Sequence, residues 1–310
     1  MKLTTFIMMV GVSGSGKSTI AMEYAEKYNA KVFSSDAIRG EIYGDENCQK
    51  DPSRVFNIMH QRTLKALRDG KSVVYDATNL SRKRRMSFLK GLHGINCQKM
   101  CVVVVTTPED IGERMKHRVR KVPMEVVHKH LCQFQCPNYY EGWDKIDVRF
   151  NSSESECASS YSCLFSECAI PHDNPHHTLD IAHHMFKASQ EVLRFGPKGE
   201  EISYVALMHD IGKPRCKTFL NRDGSPSEVA HYVGHQNYSA YFYLIAMGSG
   251  RVSQLEDWSC KMILDHSCLI QWHMEHYLRN GEALERFYQM LGADLTKKLK
   301  MLEEADKAAH

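Results

Sequence analysis

Short apolar runs alternate with longer amphipathic stretches over the first half of the chain. The runs at residues 5–10, 73–75 and 101–105 are brief and mostly β-branched or bulky, as strands buried on both faces are. A further short strand is expected at 31–34. Between these runs, helical spacing covers 19–28, 52–68, 82–92 and 109–118. Such alternation predicts a parallel sheet with helices on both faces. Beyond residue 174 strand patterns nearly vanish, and helical periodicity recurs at 179–193, 202–210, 237–247, 254–264, 283–291 and 295–308. The stretch 151–174 between the two regimes is rich in serine and poor in large apolar residues, as a connecting segment is. The pattern therefore predicts an α/β domain over 1–150, a Ser/Cys-rich linker over 151–171 and an all-α domain over 172–310.

Composition supports a folded chain: 43% of the 310 residues are hydrophobic and 25% are charged. No apolar run approaches the ~20 residues a membrane helix needs. Met1-Lys2 followed by the apolar residues 6–12 mimics a signal peptide. That run leads into a glycine-rich segment instead of a cleavage site, so a buried strand is expected. Eleven cysteines, with no C-x-x-C pair, read as reduced thiols of a protein expected to be cytoplasmic. The net charge of +3 conceals a split. Residues 1–150 carry 25 Lys+Arg against 16 Asp+Glu, and residues 151–310 carry 15 against 21. Twelve of the 17 histidines lie in the second stretch. The basic half suits a polyanion and the acidic, histidine-rich half suits cations.

Gly11-Val12-Ser13-Gly14-Ser15-Gly16-Lys17-Ser18 fits the phosphate-binding loop G-x-x-x-x-G-K-[ST], placed between an expected strand and an expected helix that Thr19 joins. Glycines let backbone N–H groups surround phosphate oxygens, and the helix N-terminus adds partial positive charge. Lys17 can reach the β- and γ-phosphates of ATP, and the Ser18 hydroxyl can ligate Mg²⁺. Asp36, three residues before Arg39, is either a base for an attacking hydroxyl or a helix N-cap. Asp76-Ala77-Thr78-Asn79 ends a strand, where open α/β sheets bind ligands. Arg114, Lys116, Arg118, Arg120 and Lys121 could close over a triphosphate, and Arg82-Lys83-Arg84-Arg85 suits a polyanionic acceptor.

These residues resemble the polynucleotide 5′-kinase family, the P-loop kinases of RNA end healing, over about residues 5–147. The resemblance implies that Asp36 is the general base, that Arg39 grips the acceptor phosphate and that Arg118, or else Arg120, clamps the donor. P-loop kinases of small metabolites share most of these marks.

In the second half, His209-Asp210-Ile211-Gly212-Lys213-Pro214 closes an apolar helix. His184, His235, His266 and Asp306 are further candidate ligands at helix ends or on amphipathic helices. Imidazole and carboxylate donors suit a divalent ion such as Mn²⁺, Fe²⁺, Zn²⁺ or Mg²⁺, which can activate water against phosphorus. His183 is an alternative to His184. His177 and His231 could face the pocket, and His273, His276 and His310 read as surface residues.

This set resembles the HD phosphohydrolase family over about residues 172–310. Besides the His209-Asp210 block it includes Asn174-Pro175-His176-His177-Thr178-Leu179, His231-Tyr232-Val233-Gly234-His235 and Ala305-Asp306. The resemblance implies a metal held by His184, His209, Asp210 and Asp306, with His235 and His266 serving a second metal or the scissile phosphate. Together the two resemblances imply an enzyme that heals both ends of a broken nucleic acid, RNA above DNA, before a separate ligase joins them. The alternatives are a nucleoside or sugar kinase fused to a nucleotide phosphohydrolase, and a nucleotide-binding sensor.

Overall fold

The computed structural model describes residues 3–117, 122–175, 178–248 and 257–309. The chain forms two compact units, 1–130 with 137–152, and 131–136 with 153–310.

The first unit contains β1 (Thr4–Val10), α1 (Lys17–Tyr28), β2 (Lys31–Ser34), α2 (Ser35–Tyr43), α3 (Pro52–Arg68), β3 (Val73–Asp76), α4 (Arg82–Gly91), β4 (Cys97–Val105), α5 (Pro108–His117), most of α6 (Met124–Gln133) and β5 (Lys145–Phe150). The strands make one parallel sheet of order β2-β3-β1-β4-β5. Strand β1 is central, and every residue of it from Thr5 to Val10 is buried, which explains its unbroken apolar run. On one face Ile7 and Met9 pack with Ile20, Ala21, Tyr24 and Ala25 of α1. On the other, Phe6 contacts Phe88, Tyr75 and Trp143. This is the α/β fold the alternation predicts, with β5, α2 and α6 as elements that the apolar pattern left unmarked.

The second unit contains α7 (Glu154–Glu167), α8 (Ile181–Glu191), α9 (Pro197–Met208), α10 (Lys213–Cys216), β6 (Thr218–Leu220), β7 (Pro226–His231), α11 (His235–Gly248), α12 (Asp257–Trp272), α13 (Glu275–Leu278) and α14 (Gly281–Ala308). Helix α11 is buried on nearly every side and packs against α7 and α12. The two expected C-terminal helices are both present within α14 and meet at a kink, where Gly292 has non-helical φ of 76° and ψ of 171°.

The unit is the helical one expected, with an antiparallel hairpin of β6 and β7 added to it. One expectation needs correction. The segment expected as a linker contains α7, which starts at a capping box: Ser153 accepts from the Glu156 N–H while the Glu156 carboxylate accepts from the Ser153 N–H. The serines that imitate a linker include the one that starts this helix.

Candidate functional site

The phosphate-binding loop leaves the C-terminal end of β1 and enters α1 at Lys17. Gly14 and Gly16 have φ of 83° and 85°, in the left-handed region where only glycine is unstrained. A Cβ on Gly16 would also lie 2.2 Å from Asn151 Nδ2. The loop is braced from outside: Ser15 O accepts from Thr106 Oγ1 at 2.9 Å and from Asn151 Nδ2 at 2.8 Å. The Gly11 N–H donates to Thr78 O at 3.1 Å, and the Ser13 N–H to His130 Nδ1 at 3.3 Å. Burial, with Lys17 adding to it, pulls the His130 imidazole down to about 4, so it accepts as a neutral ring.

Lys17 Nζ donates to Val12 O at 2.7 Å. Ser18 Oγ donates to Asp76 Oδ2 at 2.7 Å, while Thr19 faces solvent. Asp76 was legible as a strand-end residue, and the structure joins it to Ser18. Burial raises its carboxyl above the ordinary range, against the Ser18 hydrogen bond and the Lys17 charge, and the Asp36 charge adds to the rise. A hydroxyl and a carboxylate side by side suit a hard cation such as Mg²⁺.

Ser34, not Asp36, caps α2: its side chain accepts from the Asp36 N–H at 3.3 Å. The Asp36 carboxylate instead pairs with Arg39 NH1 at 2.6 Å, so base and phosphate-gripping candidates share one ion pair. Arg118, Arg120 and Lys121 lie outside the described residues. Arg114 donates to Ser15 O and Asn151 O.

The basic run at 82–85 divides. Lys83 and Arg84 are exposed, but Arg85 is internal and makes a bidentate pair with Glu141 at 2.7 and 2.5 Å. It also donates to Asn79 O and Leu80 O at 3.0 Å each, and Trp143 Nε1 donates to Glu141 Oε2 at 3.0 Å. Arg85 is therefore a structural tie below the Asp76–Asn79 turn and cannot greet a polyanion.

In the second unit, α8, α9 and α14 bring His184, His209, Asp210 and Asp306 together, all buried. His184 Nε2 lies 3.3 Å from His209 Nε2, 3.0 Å from Asp306 Oδ1 and 3.4 Å from Asp210 Oδ2. His209 Nε2 lies 3.2 Å from Asp306 Oδ1 and 3.3 Å from Asp210 Oδ2. An ion about 2.1 Å from each ligand sets neighbours about 3.0 Å apart when octahedral and about 3.4 Å when tetrahedral. The observed edges span that interval, so the residues fit a divalent ion.

A second group joins the other oxygen of the same carboxylate. Asp210 Oδ1 is 3.2 Å from His235 Nε2 and 3.7 Å from His273 Nε2. Among the described residues, Asp210 Oδ1 and His235 Nε2 are buried with no hydrogen-bond partner, which suits a place for a cation. All four imidazoles are turned alike. Nδ1 of His184, His209, His235 and His273 faces the carbonyl of Ala309, Ala206, Tyr232 and Ile270 at 3.3, 2.6, 2.7 and 2.6 Å. In the neutral rings every Nε2 is thereby turned toward Asp210, and those of His184 and His209 toward Asp306 as well.

Burial disfavours the charged His209 ring, yet the Asp210 and Asp306 carboxylates outweigh it and raise the group to about 10. Both carboxyls, in turn, lie well below the usual range despite burial, with His209 as the largest opposing charge. A cation entering this cluster would replace protons. Lys213 Nζ adds a further charge 2.6 Å from Asp210 Oδ2.

Two expected placements are corrected. His266 is not in either ligand group; its Nδ1 lies 2.9 Å from Tyr243 Oη, and burial lowers it to about 4. His273, which read as a surface residue, is 1% exposed and lies instead with Asp210 and His235. The two stand seven residues apart, two helical turns, which is the signal that could have linked them. His276 also read as surface but is half-buried, 3.4 Å from Glu303. His183 is exposed and pairs with Asp180, its helix's N-cap, whereas His184 points inward. His231 is half-buried beside Ser227, and His176, His177 and His310 lie outside the described residues. Sequence reasoning passed over His172, which is 1% exposed and packs edge-on against His184 with ring centres 5.4 Å apart.

Residues 6–137 match a family model described as an AAA domain. No curated protein matches the chain. Similar solved structures include a candidate kinase from Chloroflexus aurantiacus J-10-fl, at 12% identity and TM-score 0.41 over 49% of this chain and 90% of that one. A gluconokinase from Sinorhizobium meliloti 1021 shows 21% and 0.37 over 49% and 86%. A chain of the Pnkp1/Rnl/Hen1 RNA repair complex shows 22% and 0.37 over 42% and 44%, so this chain spans under half of that one. The strand–loop–helix geometry at Gly11–Lys17 and the family match over residues 6–137 together mark the first unit as a P-loop domain.

Proposed function

We propose that the chain heals both ends of a broken nucleic acid strand, RNA in preference to DNA. The first unit transfers the γ-phosphate of ATP to a 5′-hydroxyl, with Mg²⁺ at Ser18 and Asp76. Asp36 accepts the hydroxyl proton, Arg39 holds the acceptor phosphate, and Lys17 and Arg118 balance charge on the donor. The second unit is an HD-type phosphohydrolase that removes a 3′-phosphate or opens and removes a 2′,3′-cyclic phosphate. His184, His209, Asp210 and Asp306 hold one divalent ion, and Asp210, His235 and His273 hold another or the scissile phosphate. Such ions supply Lewis-acid charge and lower the pKa of water. Lys213 adds to the positive charge around Asp210, and the backbone carbonyls hold each imidazole in the ligating tautomer. The observation that carries this reading is one carboxylate, Asp210, offering an oxygen to each of two histidine groups.

The test is an oligonucleotide with a 5′-hydroxyl and a 3′-phosphate, given ATP with Mg²⁺ or Mn²⁺. Both ends should change. Asp36→Asn should stop 5′-phosphorylation and spare phosphate removal, and His209→Ala with Asp210→Ala should do the reverse. Loss of both activities in either variant overturns the two-site reading. A metabolite acceptor is the second reading, favoured by the burial of Arg85, which takes one cation out of the expected basic surface. Salt separates the two: affinity for a single-stranded acceptor falls with a log–log slope of about −0.7 per neutralised phosphate, whereas an uncharged sugar gives a slope near zero.

A further inference from the structure

The cysteines lack paired spacing in sequence, and all eleven are reduced in the structure. Two of them, far apart in sequence, meet within the second unit. Cys132 Sγ lies 3.6 Å from Cys216 Sγ. Cys132 is half-buried and Cys216 is buried. A hydrogen bond with Cys216 holds the Cys132 thiol below its ordinary value, although burial opposes this, and the same bond together with burial pushes the Cys216 thiol up. Burial instead raises Cys97, and it raises Cys168 to about 12. The thiolate is the species that attacks a peroxide. Cys132 thus combines access with an adjacent second thiol, the features of an oxidation-responsive pair.

We propose that Cys132 and Cys216 are a modification site, which hydrogen peroxide converts to a disulfide that reshapes the neighbouring histidine cluster. The Cys132 thiolate attacks one peroxide oxygen, the O–O bond breaks, and the departing hydroxide takes a proton to become water. The resulting sulfenic acid is attacked by the Cys216 sulfur. The S–O bond breaks, and a second water leaves with the Cys216 proton. Two thiols lose two electrons in all, and one peroxide is reduced to two waters.

A disulfide requires sulfurs ~2.05 Å apart, so the pair must close by about 1.5 Å. Both sides are tied to the cluster. Gly234 sits so near Cys132 that a Cβ there would lie 2.8 Å from the Cys132 carbonyl oxygen, and Asn237 Nδ2 donates to the same oxygen at 2.7 Å. These residues flank His235. Cys216 ends α10, which begins at Lys213, the partner of Asp210 at 2.6 Å. Closure therefore moves the supports of His235 and Asp210. The effect on metal binding rests on the function proposed above, whereas formation of the disulfide does not.

The full-length protein would be exposed to hydrogen peroxide, alkylated and mapped by peptide mass, with Mn²⁺ titrated before exposure, after it and after dithiothreitol. One peptide pair joining Cys132 to Cys216 is expected, absent in Cys132→Ser and in Cys216→Ser. Mn²⁺ affinity should fall by about ten-fold, recover with dithiothreitol and stay constant in both variants. Cross-links to other cysteines, or oxidation without a cross-link, overturn the pair. A cross-link with unchanged Mn²⁺ affinity overturns its coupling to the histidines. Absence of Mn²⁺ binding before exposure counts against the proposed hydrolase site and leaves the peptide map to decide the pair.

Discussion

His273 shows how one side chain can escape a sequence and still complete a site. Its neighbours, Trp272 and Met274, give it no motif, and the expected helix stopped at 264. The helix runs on to Trp272, and tertiary packing then buries His273 against Asp210 and His235. His209 and Asp210, by contrast, were legible because adjacent ligand types at the end of an apolar helix are rare. Asp36 was legible as a residue type with two readings, and the cap bond made by Ser34 leaves its carboxylate to Arg39. If His273 binds metal through Asp210, His273→Ala should lower affinity for one equivalent of Mn²⁺ by about ten-fold or more. His266→Ala should leave both equivalents in place. Calorimetric titration reads the two, and equal losses in both variants would return His266 to the ligand set.

At the scale of elements, α4 turns an apparent nucleic-acid patch partly inward. A run of four cations looks uniform in sequence, but helical geometry points one position in it at the core. Glu141, 56 residues later, is waiting there. Removing one partner of a buried pair leaves a charge uncompensated, at ~3–5 kcal/mol. Arg85→Ala should thus lower the melting temperature sharply, while Lys83→Ala and Arg84→Ala should leave it nearly unchanged; circular dichroism melts distinguish them. The loop after α9 is held comparably tightly. The Gly212 N–H donates to Ser239 Oγ at 2.9 Å, and a Cβ there would meet His235 O and Ser239 N at 2.8 Å each. Only a glycine lets His209-Asp210 come this near α11. Helix α7 was illegible because its serines and short apolar stripe imitate a connecting segment.

For the whole molecule, the alternation of apolar runs was enough to indicate the parallel sheet, since parallel strands buried on both faces carry a strong signal. The hairpin of β6 and β7 was not legible: its strands are short, mostly exposed and nearly without alternation. The charge split has gained a physical basis in part. The basic stretch keeps Lys83 and Arg84 at its surface and loses Arg85 to its interior, while the histidines of the acidic stretch surround buried carboxylates.

His184 and Asp306 stand 122 residues apart along the chain and meet at 3.0 Å. On the proposed reading, an ion held between them closes a loop about three-quarters as long as the second unit. The ion then becomes a thermodynamic variable of folding: at a hundred times its dissociation constant it stabilises the bound form by ~2.7 kcal/mol. Heat denaturation should show two transitions, one moving upward with Mn²⁺ and the other with a nonhydrolysable ATP analogue. A profile in which Mn²⁺ moves neither would remove the ion from that loop's closure. The ionic composition of the surroundings would then set not only how fast the second unit works, but what fraction of its copies is folded.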